Sequence, residues 1–475
     1  MQKFLKKSAV VALALLLAFQ LAGCKKTGDP LHYLGDPAST VWEMTLNYDE
    51  INVFSHGLAA VKKDGKWGFI NTGGKVVIPL IYDAAWNFTD GLATVQKDGK
   101  MGLINNKGKA VLPLQYDSVI NFGGGYAYMM KDGKWGAVNN KGKLVVPLLY
   151  DGISYFNEGL VAVQKNGKWG FVNAKGKVAV PLVYDEVLGF SEGMARVQKD
   201  GKSGFVNKYG KVVVPLECEY PFHDRADHAS DYFKEGFVAV QKNGKWGFVN
   251  NKGKVAVPLE YDWVFAFNEG LAAVEKDGKR GFIDKSGKVV IPLQYDGAGP
   301  FNEGLAAVAK DGKWGFIDKS GEVIIPFEYD EVREFNEGLA VVRKDGKFGL
   351  LDKEGEVFMP FEYDGIGYYG FTSVFYNGLA LIREGYMWGF ADTSGKVVVP
   401  PIYDAAEYIV ADGIALVREG GSQYGKWGAY NKSGDLILPP QYDKLNYFNE
   451  GFAAVKKDGK WGILKIVDDR LQIVV

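Results

Sequence analysis

The sequence predicts an all-β protein, a tandem array of about twelve small antiparallel units of three strands, with a fourth strand left open. The main observation is a Trp-Gly-like dipeptide that recurs twelve times between residues 67 and 462, most often 34 residues apart. A regular period of this size is typical of repeat proteins, in which each unit buries its apolar faces against its neighbours. The copies are Trp67-Gly68, Met101-Gly102, Trp135-Gly136, Trp169-Gly170, Ser203-Gly204, Trp246-Gly247, Arg280-Gly281, Trp314-Gly315, Phe348-Gly349, Trp388-Gly389, Trp427-Gly428 and Trp461-Gly462.

Each unit begins with a predicted β-hairpin. In the first unit, the short runs 58–63 and 66–71 are joined by Asp64-Gly65. A two-residue Asp-Gly or Asn-Gly link is a strong hairpin signal, because both positions of the turn need a positive φ. Ten of the twelve units contain such a link. The turn also fixes the register, so Lys62 should face Trp67 and its ammonium should lie across the indole.

Both faces of this hairpin are apolar. Ala60 and Phe69 would lie on one face, and Val61 and Ile70 on the other. A sheet that is apolar on both faces has to be covered on both sides, and stacked repeats would supply that cover. We therefore expect each unit to be packed between its two neighbours.

A third strand follows the hairpin and carries a proline in eleven units. Proline cannot donate to a strand ladder, so we place this strand at the edge of its sheet. A Tyr-Asp pair, an aromatic residue and a Glu-Gly-like pair then lead to the next hairpin, and the Tyr-Asp stretch is the candidate for a fourth strand. In the last unit, residues 471–475 supply the third strand without a proline. The prolines are Pro79, Pro113, Pro147, Pro181, Pro215, Pro258, Pro292, Pro326, Pro360, Pro400 and Pro440.

The glycine of the dipeptide is present in all twelve copies, whereas the tryptophan is replaced by Met101, Ser203, Arg280 and Phe348. The glycine is therefore predicted to be the structural requirement, leaving room for a neighbouring ring or backbone. An aromatic position that accepts serine or arginine should be at least partly exposed.

The N-terminus predicts export and a lipid anchor. Residues 1–23 have a lysine-rich start and a short apolar core, as in a secretory signal peptide. Leu21-Ala22-Gly23-Cys24 resembles the lipobox of bacterial lipoproteins, which implies cleavage before Cys24 and acylation of that cysteine. The resemblance implies the outer membrane if the organism has one, and otherwise the outer face of the cell membrane. Residues 24–40 form the lipidated end and a tether, and residues 41–475 form the repeat domain.

Composition limits the function classes. With 56 basic and 57 acidic residues, the net charge of −1 argues against a nucleic-acid partner, which needs a concentrated basic face. Cys24 and Cys218 are the two cysteines, so lipidation of the first leaves no intrachain disulfide. Stability must come from packing.

The pattern from Asp-Gly-Lys-Trp-Gly-Phe-Ile-Asn to Gly-Lys-Val-Val-Ile-Pro resembles the WG, or KWG, repeat family of bacterial proteins. The resemblance covers roughly residues 44–475. It implies a secreted or surface repeat scaffold more than any particular activity.

Such units can form a β-propeller-like ring or an open superhelical array. We favour propeller-like packing, although the sequence shows no clear exchange of a strand between the termini. Residues 41–46 resemble the third strand of an incomplete leading unit, as in a cap. The nine extra residues between units five and six would mark the boundary if the units formed two rings.

Two insertions are the candidate functional segments. Residues 217–234 hold Cys218, His223, His228 and several aspartates; imidazole and carboxylate can bind zinc, but a solvated surface loop explains the segment without a metal. Residues 365–377 are rich in aromatic side chains, which could bind a sugar or peptide or could pack against adjacent sheets. The ligand-surface candidates are Tyr368, Tyr369, Phe371, Tyr376, His223 and His228.

These features predict a non-enzymatic, lipid-anchored scaffold of the cell envelope that binds a protein or a glycan. We expect no cofactor, no catalytic residues and no resident metal. The alternatives are an envelope hydrolase or metal-binding protein that uses the insertion at 217–234, and a purely architectural spacer.

Overall fold

The computed structural model describes residues 45–121, 123–218, 231–367, 374–408, 413–421, 425–467 and 470–475. These residues form twelve antiparallel sheets, which we call blades 1 to 12 in chain order. No helix within the described ranges is long and apolar enough to cross a membrane.

In each four-stranded blade the strands pair in chain order, so the first and fourth strands are the edges. The first strands are Glu50–Ile51, Ala84–Ala85, Ser118–Asn121, Gly152–Asn157, Glu186–Ser191, Trp263–Val264, Gly297–Asn302, Glu331–Val332, Gly365–Ile366, Ala405–Tyr408 and Lys444–Leu445. The second strands are Leu58–Lys63, Leu92–Lys97, Tyr126–Lys131, Leu160–Lys165, Met194–Lys199, Phe237–Lys242, Leu271–Lys276, Leu305–Lys310, Leu339–Lys344, Leu379–Glu384, Ala415–Glu419 and Phe452–Lys457. The third strands are Lys66–Asn71, Lys100–Asn105, Lys134–Asn139, Lys168–Asn173, Lys202–Asn207, Lys245–Asn250, Lys279–Asp284, Lys313–Asp318, Lys347–Asp352, Met387–Asp392, Lys426–Tyr430 and Lys460–Val467. The fourth strands are Val76–Tyr82, Ala110–Tyr116, Leu144–Tyr150, Val178–Tyr184, Val212–Cys218, Val255–Tyr261, Val289–Tyr295, Val323–Tyr329, Val357–Tyr363, Val397–Tyr403, Leu436–Tyr442 and Arg470–Ile473.

The predicted hairpin and its register are confirmed. Lys62 pairs with Trp67, and Val61 with Gly68. The turn residue Asp64 has φ 49°, which the two-residue link requires. The proline-bearing strand lies at an edge of its sheet, as predicted.

The Tyr-Asp stretch does form a further strand, but it joins the sheet of the following unit. After Tyr82, the N–H of Asp83 donates to the carbonyl of Gln96, and Ala84 pairs with Gln96. Eleven blades therefore have four strands, and blade 6 has three among the residues that the structure describes.

The dipeptide glycine makes room for a backbone. The third and fourth strands change register between the pairs Trp67–Tyr82 and Phe69–Ile78, and Pro79 lies in the resulting bulge. A Cβ atom on Gly68 would lie 2.6 Å from the Ile78 carbonyl oxygen. The same conflict with the backbone of the fourth strand occurs at the corresponding glycine of blades 2 to 11.

Each blade packs between two others. In blade 1, Ala60 and Phe69 share a core cluster with blade 2, and the opposite face, with Val61 and Ile70, shares a cluster with blade 12. Phe69 contacts Phe88 edge-on, with ring centroids 5.0 Å apart. The predicted cover on both faces is therefore present.

The twelve blades close into one ring, a twelve-bladed β-propeller. Leu46 and Trp461 exchange two backbone hydrogen bonds of 2.9 Å, so the N-terminal segment adds to the sheet of blade 12. The Glu450 carboxylate accepts hydrogen bonds from the N–H groups of His56 and Gly57, each 2.8 Å long. The expectation of no exchange between the termini is wrong: Leu46, the last residue of the segment interpreted as a leading cap, pairs with Trp461 of the last blade.

The open superhelix and the two-ring arrangement are excluded by the packing. A continuous core cluster joins blades 5, 6 and 7, with Phe205, Phe248 and Ile283 among its members. The longer unit therefore marks no boundary between rings. Blade 12 has its last strand at Arg470–Ile473, without a proline, as predicted.

A second set of contacts joins neighbouring blades through the Tyr-Asp aspartate. Asp83, which lies between blades 1 and 2, accepts a hydrogen bond of 2.5 Å from the Lys66 ammonium of blade 1. Its other oxygen accepts one of 2.6 Å from the N–H of Asp98, in the hairpin turn of the next blade.

These aspartates have lowered pKa values in ten blades. In nine of them the largest cause is the hydrogen bond from the lysine at the start of the third strand; at Asp404 it is the N–H of Gly421. The ten are Asp83, Asp117, Asp151, Asp185, Asp262, Asp296, Asp330, Asp364, Asp404 and Asp443.

Acid should therefore destabilise the ring. A carboxyl whose pKa is lower in the folded state binds its proton at a lower pH than the same carboxyl in the unfolded chain. Its stabilising contribution is complete above the usual aspartate pKa and is lost as pH falls through the lower folded value. We expect the thermal unfolding midpoint to be steady from pH 7 to 5 and to fall below about pH 4. The unfolding midpoint of the Asp296→Asn variant should fall less steeply below pH 4 than that of the wild type. If the midpoint fell mainly between pH 8 and 6, the aspartates would not be the cause of the acid sensitivity.

Candidate ligand-binding cleft on blades 7 to 9

In each of the eleven four-stranded blades, three neighbouring residues form a row across the sheet at the level of the dipeptide. In blade 1 the row is Glu50, Lys62 and Trp67. The Lys62 ammonium lies 5.8 Å from the centre of the Trp67 ring, as predicted. In blade 10, the Arg383 guanidinium lies 5.6 Å from the Trp388 ring. A long side chain thus lies beside the aromatic ring in these rows.

The row of blade 8 is different, because it consists of Gly297, Ala309 and Trp314. The edge of the indole lies against the first strand: a Cβ atom on Gly297 would lie only 2.9 Å from Cη2 of Trp314. Trp314 remains partly exposed. Among the described residues, every other dipeptide tryptophan has a longer side chain beside it in its row, whereas Trp314 has only Gly297 and Ala309.

Trp314 is one wall of an open cleft of about 720 Å³ that spans blades 7, 8 and 9. This volume is in the range of about 300–1,000 Å³ that is usual for small-ligand sites. Gly299, two residues after Gly297, leaves the first strand of blade 8 bare, whereas the corresponding positions are Phe265 in blade 7 and Arg333 in blade 9. The missing side chains of blade 8 therefore create the cleft between its neighbours.

The blade 7 wall is held by its own contacts. The Arg280 guanidinium lies 4.3 Å from the centre of the Trp263 ring, and its Nε donates a hydrogen bond of 2.8 Å to Glu275. Trp263 in turn contacts Phe265 edge-on at 4.4 Å. The arginine that replaces the dipeptide tryptophan is thus stacked and ion-paired.

Blade 9 supplies a carboxylate at the rim of the cleft. Glu334 accepts a hydrogen bond from the side-chain amide of Asn302, which belongs to blade 8. Reduced hydration raises the pKa of Glu334 above its usual value, against the opposing effects of this hydrogen bond and of Lys234. Glu303, also at the cleft, forms an ion pair of 2.9 Å with Lys353.

Comparison with known proteins identifies the repeats. A family model described as "WG containing repeat" matches twelve segments between residues 45 and 461. The chain belongs to the WG repeat family. No curated protein matches this WG repeat protein.

Solved structures resemble it only weakly. A eukaryotic initiation factor is 13% identical, with a TM-score of 0.36 over 73% of this chain and 95% of that one. The extracellular domain of a putative one-component system from B. thetaiotaomicron is 12% identical, with a TM-score of 0.20 over 94% and 73%. Apo AztD from Citrobacter koseri is 15% identical, with a TM-score of 0.22 over 56% and 90%. None of these likenesses says what the WG repeat protein binds.

Most residues that the sequence singled out lie outside the described ranges: Cys24, His223, His228, Tyr368, Tyr369 and Phe371. Tyr376 is described; it is partly buried, and its N–H donates to the Leu379 carbonyl in a turn of blade 10. The adjacent Phe375 is buried and contacts Phe358 at 6.4 Å, which is a packing role.

The described end of the first insertion is tied to blade 5. Asp231 is buried and forms an ion pair with the buried Arg196, which also donates a hydrogen bond of 3.2 Å to Ser203. Ser203 and Cys218 are paired where blade 4, for example, pairs Trp169 with Tyr184. Asp231, one of the aspartates of this insertion, thus has a structural partner. No group of three metal-ligating side chains occurs among the residues with described positions.

The cleft on blades 7 to 9 was missed by the sequence interpretation, which concentrated on insertions. In the sequence, the cleft is indicated only by small residues within an otherwise regular repeat. The stretch Gly297-Ala298-Gly299-Pro300 is combined with the small Ala309, which replaces a longer residue in every other repeat. Blade 10 also has Gly365 and Gly367 at the two glycine positions, but Arg383 stands there in place of Ala309.

Proposed function

We propose that this WG repeat propeller is a lipid-anchored scaffold of the cell envelope that binds a protein or a glycan and catalyses no reaction. The observation that carries the binding role is the cleft on blades 7 to 9, where the partly exposed Trp314 lies beside polar groups held by their own contacts. A repeat ring supplies a rigid frame, and recognition resides where one repeat departs from the others.

The lipid anchor is supported by the N-terminal sequence, with its lipobox-like Leu21 to Cys24. The chain enters blade 12 at Leu46. An extended segment between Cys24 and Leu46 reaches roughly 70 Å, so the tether can hold the ring clear of a membrane. The location is the outer membrane if the organism has one, and otherwise the outer face of the cell membrane.

Replacing Cys24 by serine should release the protein from the membrane. In the native host, the wild type should incorporate labelled palmitate and partition into detergent, because its acyl chains hold it on the bilayer. The Cys24→Ser variant should do neither, and Cys218→Ser is the control that should behave as the wild type. Equal palmitate labelling of wild type and Cys24→Ser would contradict the anchor.

Filling the cleft should abolish ligand capture. A Cβ atom on Gly299 would lie 3.8 Å from its nearest neighbour, so the Gly299→Phe variant adds a ring where blade 7 already has Phe265. Immobilised residues 41–475 should retain an envelope component that the variant does not retain. Ser154→Phe, at the exposed corresponding position of blade 4, is the matched control. If the wild type and Gly299→Phe retained the component equally, the cleft would not be the binding site.

A further inference from the structure

We infer that the cleft on blades 7 to 9 binds a neutral glycan, with a sugar ring against the Trp314 indole. This inference rests on the proposed function and gives its ligand a chemical class. Three features of the cleft support it: the partly exposed aromatic ring, the kind of polar groups in its lining, and the proline in its strand edge.

The aromatic wall suits a pyranose. The apolar face of a sugar ring packs on a flat aromatic surface, and the polar atoms at its rim then need partners. Trp314 is partly exposed and lines the cleft, and the small Gly297 and Ala309 beside it leave no long side chain to compete for the ring. In blades 1, 10, 11 and 12, a lysine or arginine occupies that position over the tryptophan.

The cleft that contains the indole also offers planar donors and acceptors. Asn302 and Glu334 are joined by a hydrogen bond, which fixes an amide and a carboxylate at one side of the cleft. Arg333 and Asn336 line the same side. Sugar hydroxyls both donate and accept hydrogen bonds, so they match a mixed set of amide, carboxylate and guanidinium groups.

Charge argues for a neutral ligand. The cleft is lined by two guanidinium groups, of Arg280 and Arg333, and by two carboxylates, of Glu303 and Glu334. Arg280 is ion-paired with Glu275 at 2.8 Å, and Glu303 is ion-paired with Lys353 at 2.9 Å. An acidic glycan or a nucleic acid would therefore meet balanced charge here and no excess of positive charge. The cleft therefore lacks the concentrated basic character that a polyanion requires.

The strand edge argues against an extended peptide. The first strand of blade 8, Gly297–Asn302, pairs on one side only and could in principle accept an added strand. Pro300 lies within it and has no N–H to donate, which interrupts the ladder that strand addition needs. A glycan needs no such ladder.

The test is binding of purified residues 41–475 to a microarray of neutral and acidic oligosaccharides, followed by titration of the best neutral binder. Trp314→Ala should weaken binding about tenfold or more, since the stacking surface is lost. Trp169→Ala is the matched control: it removes the same ring from blade 4, where Gln164 lies beside the tryptophan, and should change affinity less than about twofold. Glu334→Gln, which keeps the shape of the side chain, should weaken binding several-fold and guards against misfolding of the tryptophan variant.

The outcomes separate the two proposals. If Gly299→Phe abolishes capture of an envelope protein and no neutral glycan binds, the scaffold function stands and the glycan inference is wrong. If acidic glycans bind best through Trp314, the inference is also wrong. Equal weakening by Trp314→Ala and Trp169→Ala would show that the indole acts through stability, and would overturn the stacking role.

Discussion

Replacing Gly315 by alanine should lower the free energy of unfolding by on the order of 2–4 kcal/mol. The added Cβ would lie 2.5 Å from the Ile325 carbonyl oxygen and 2.9 Å from the Pro326 carbonyl carbon. Both are backbone atoms of the fourth strand, so no side-chain rotation can relieve the contact. The strand would have to move out of its bulge and lose hydrogen bonds of the sheet. Chemical denaturation of the purified domain measures the change.

Gly73→Ala is the control for this substitution. Its Cβ would have only the side-chain oxygen of Asn71 nearby, at 3.5 Å, and Gly73 does not have a positive φ. We expect a change within about 0.5 kcal/mol. If Gly315→Ala were as mild as Gly73→Ala, the dipeptide glycine would not be the position that accommodates the proline bulge.

Replacing Trp461 by alanine should lower the free energy of unfolding by about 3–5 kcal/mol. The structural change should be confined to one place in the ring. Trp461 is 1% exposed and lies where the N-terminal segment joins blade 12. Its loss leaves a cavity among Ile51, Phe54 and Ile463, which belong to the first and last blades. Hydrogen exchange should quicken in blades 1 and 12 and remain slow in blades 5 to 8.

Trp67→Ala is the matched control for ring closure. Trp67 occupies the same position in blade 1 but is partly exposed, so its removal should cost less and should not open the ring. Faster exchange spread evenly over all blades in the Trp461 variant would contradict a local closure at this site.

Sequence reasoning succeeded where the cause was local. The hairpin register depends on a two-residue turn and on side-chain alternation, both readable within fourteen or so residues. The Tyr-Asp stretch was harder, because Tyr82 belongs to one sheet while the next residue, Asp83, already hydrogen-bonds with the following one. Neighbouring positions in sequence thus join different blades.

Ring closure could not be predicted in the same way. It depends on a small rotation accumulated over twelve blades and on pairs such as His56 and Glu450, which are 394 residues apart. The buried Trp461 illustrates the same point. Partial exposure was predicted for the dipeptide aromatic. It holds for Trp67 and Trp314, but it is wrong for Trp246 and Phe348, which are buried within the ring, and for Trp461, which is buried at the closure.

The cleft escaped the sequence for a different reason. It arises from side chains that are absent at Gly297, Gly299 and Ala309, on two strands of one blade, between larger residues of two other blades. Unusual residues, such as the aromatic run near Tyr376, are conspicuous in a sequence, whereas small residues within a regular repeat are not. Knowledge of which strands are neighbours is needed to see a gap.

Single-particle electron microscopy of residues 41–475 would distinguish a closed ring from the other arrangements. We expect one closed ring of twelve blades, with blade 1 packed on blade 12 and Leu46 paired with Trp461. A spiral with a gap between the first and last blades, or two separate smaller rings, would contradict it.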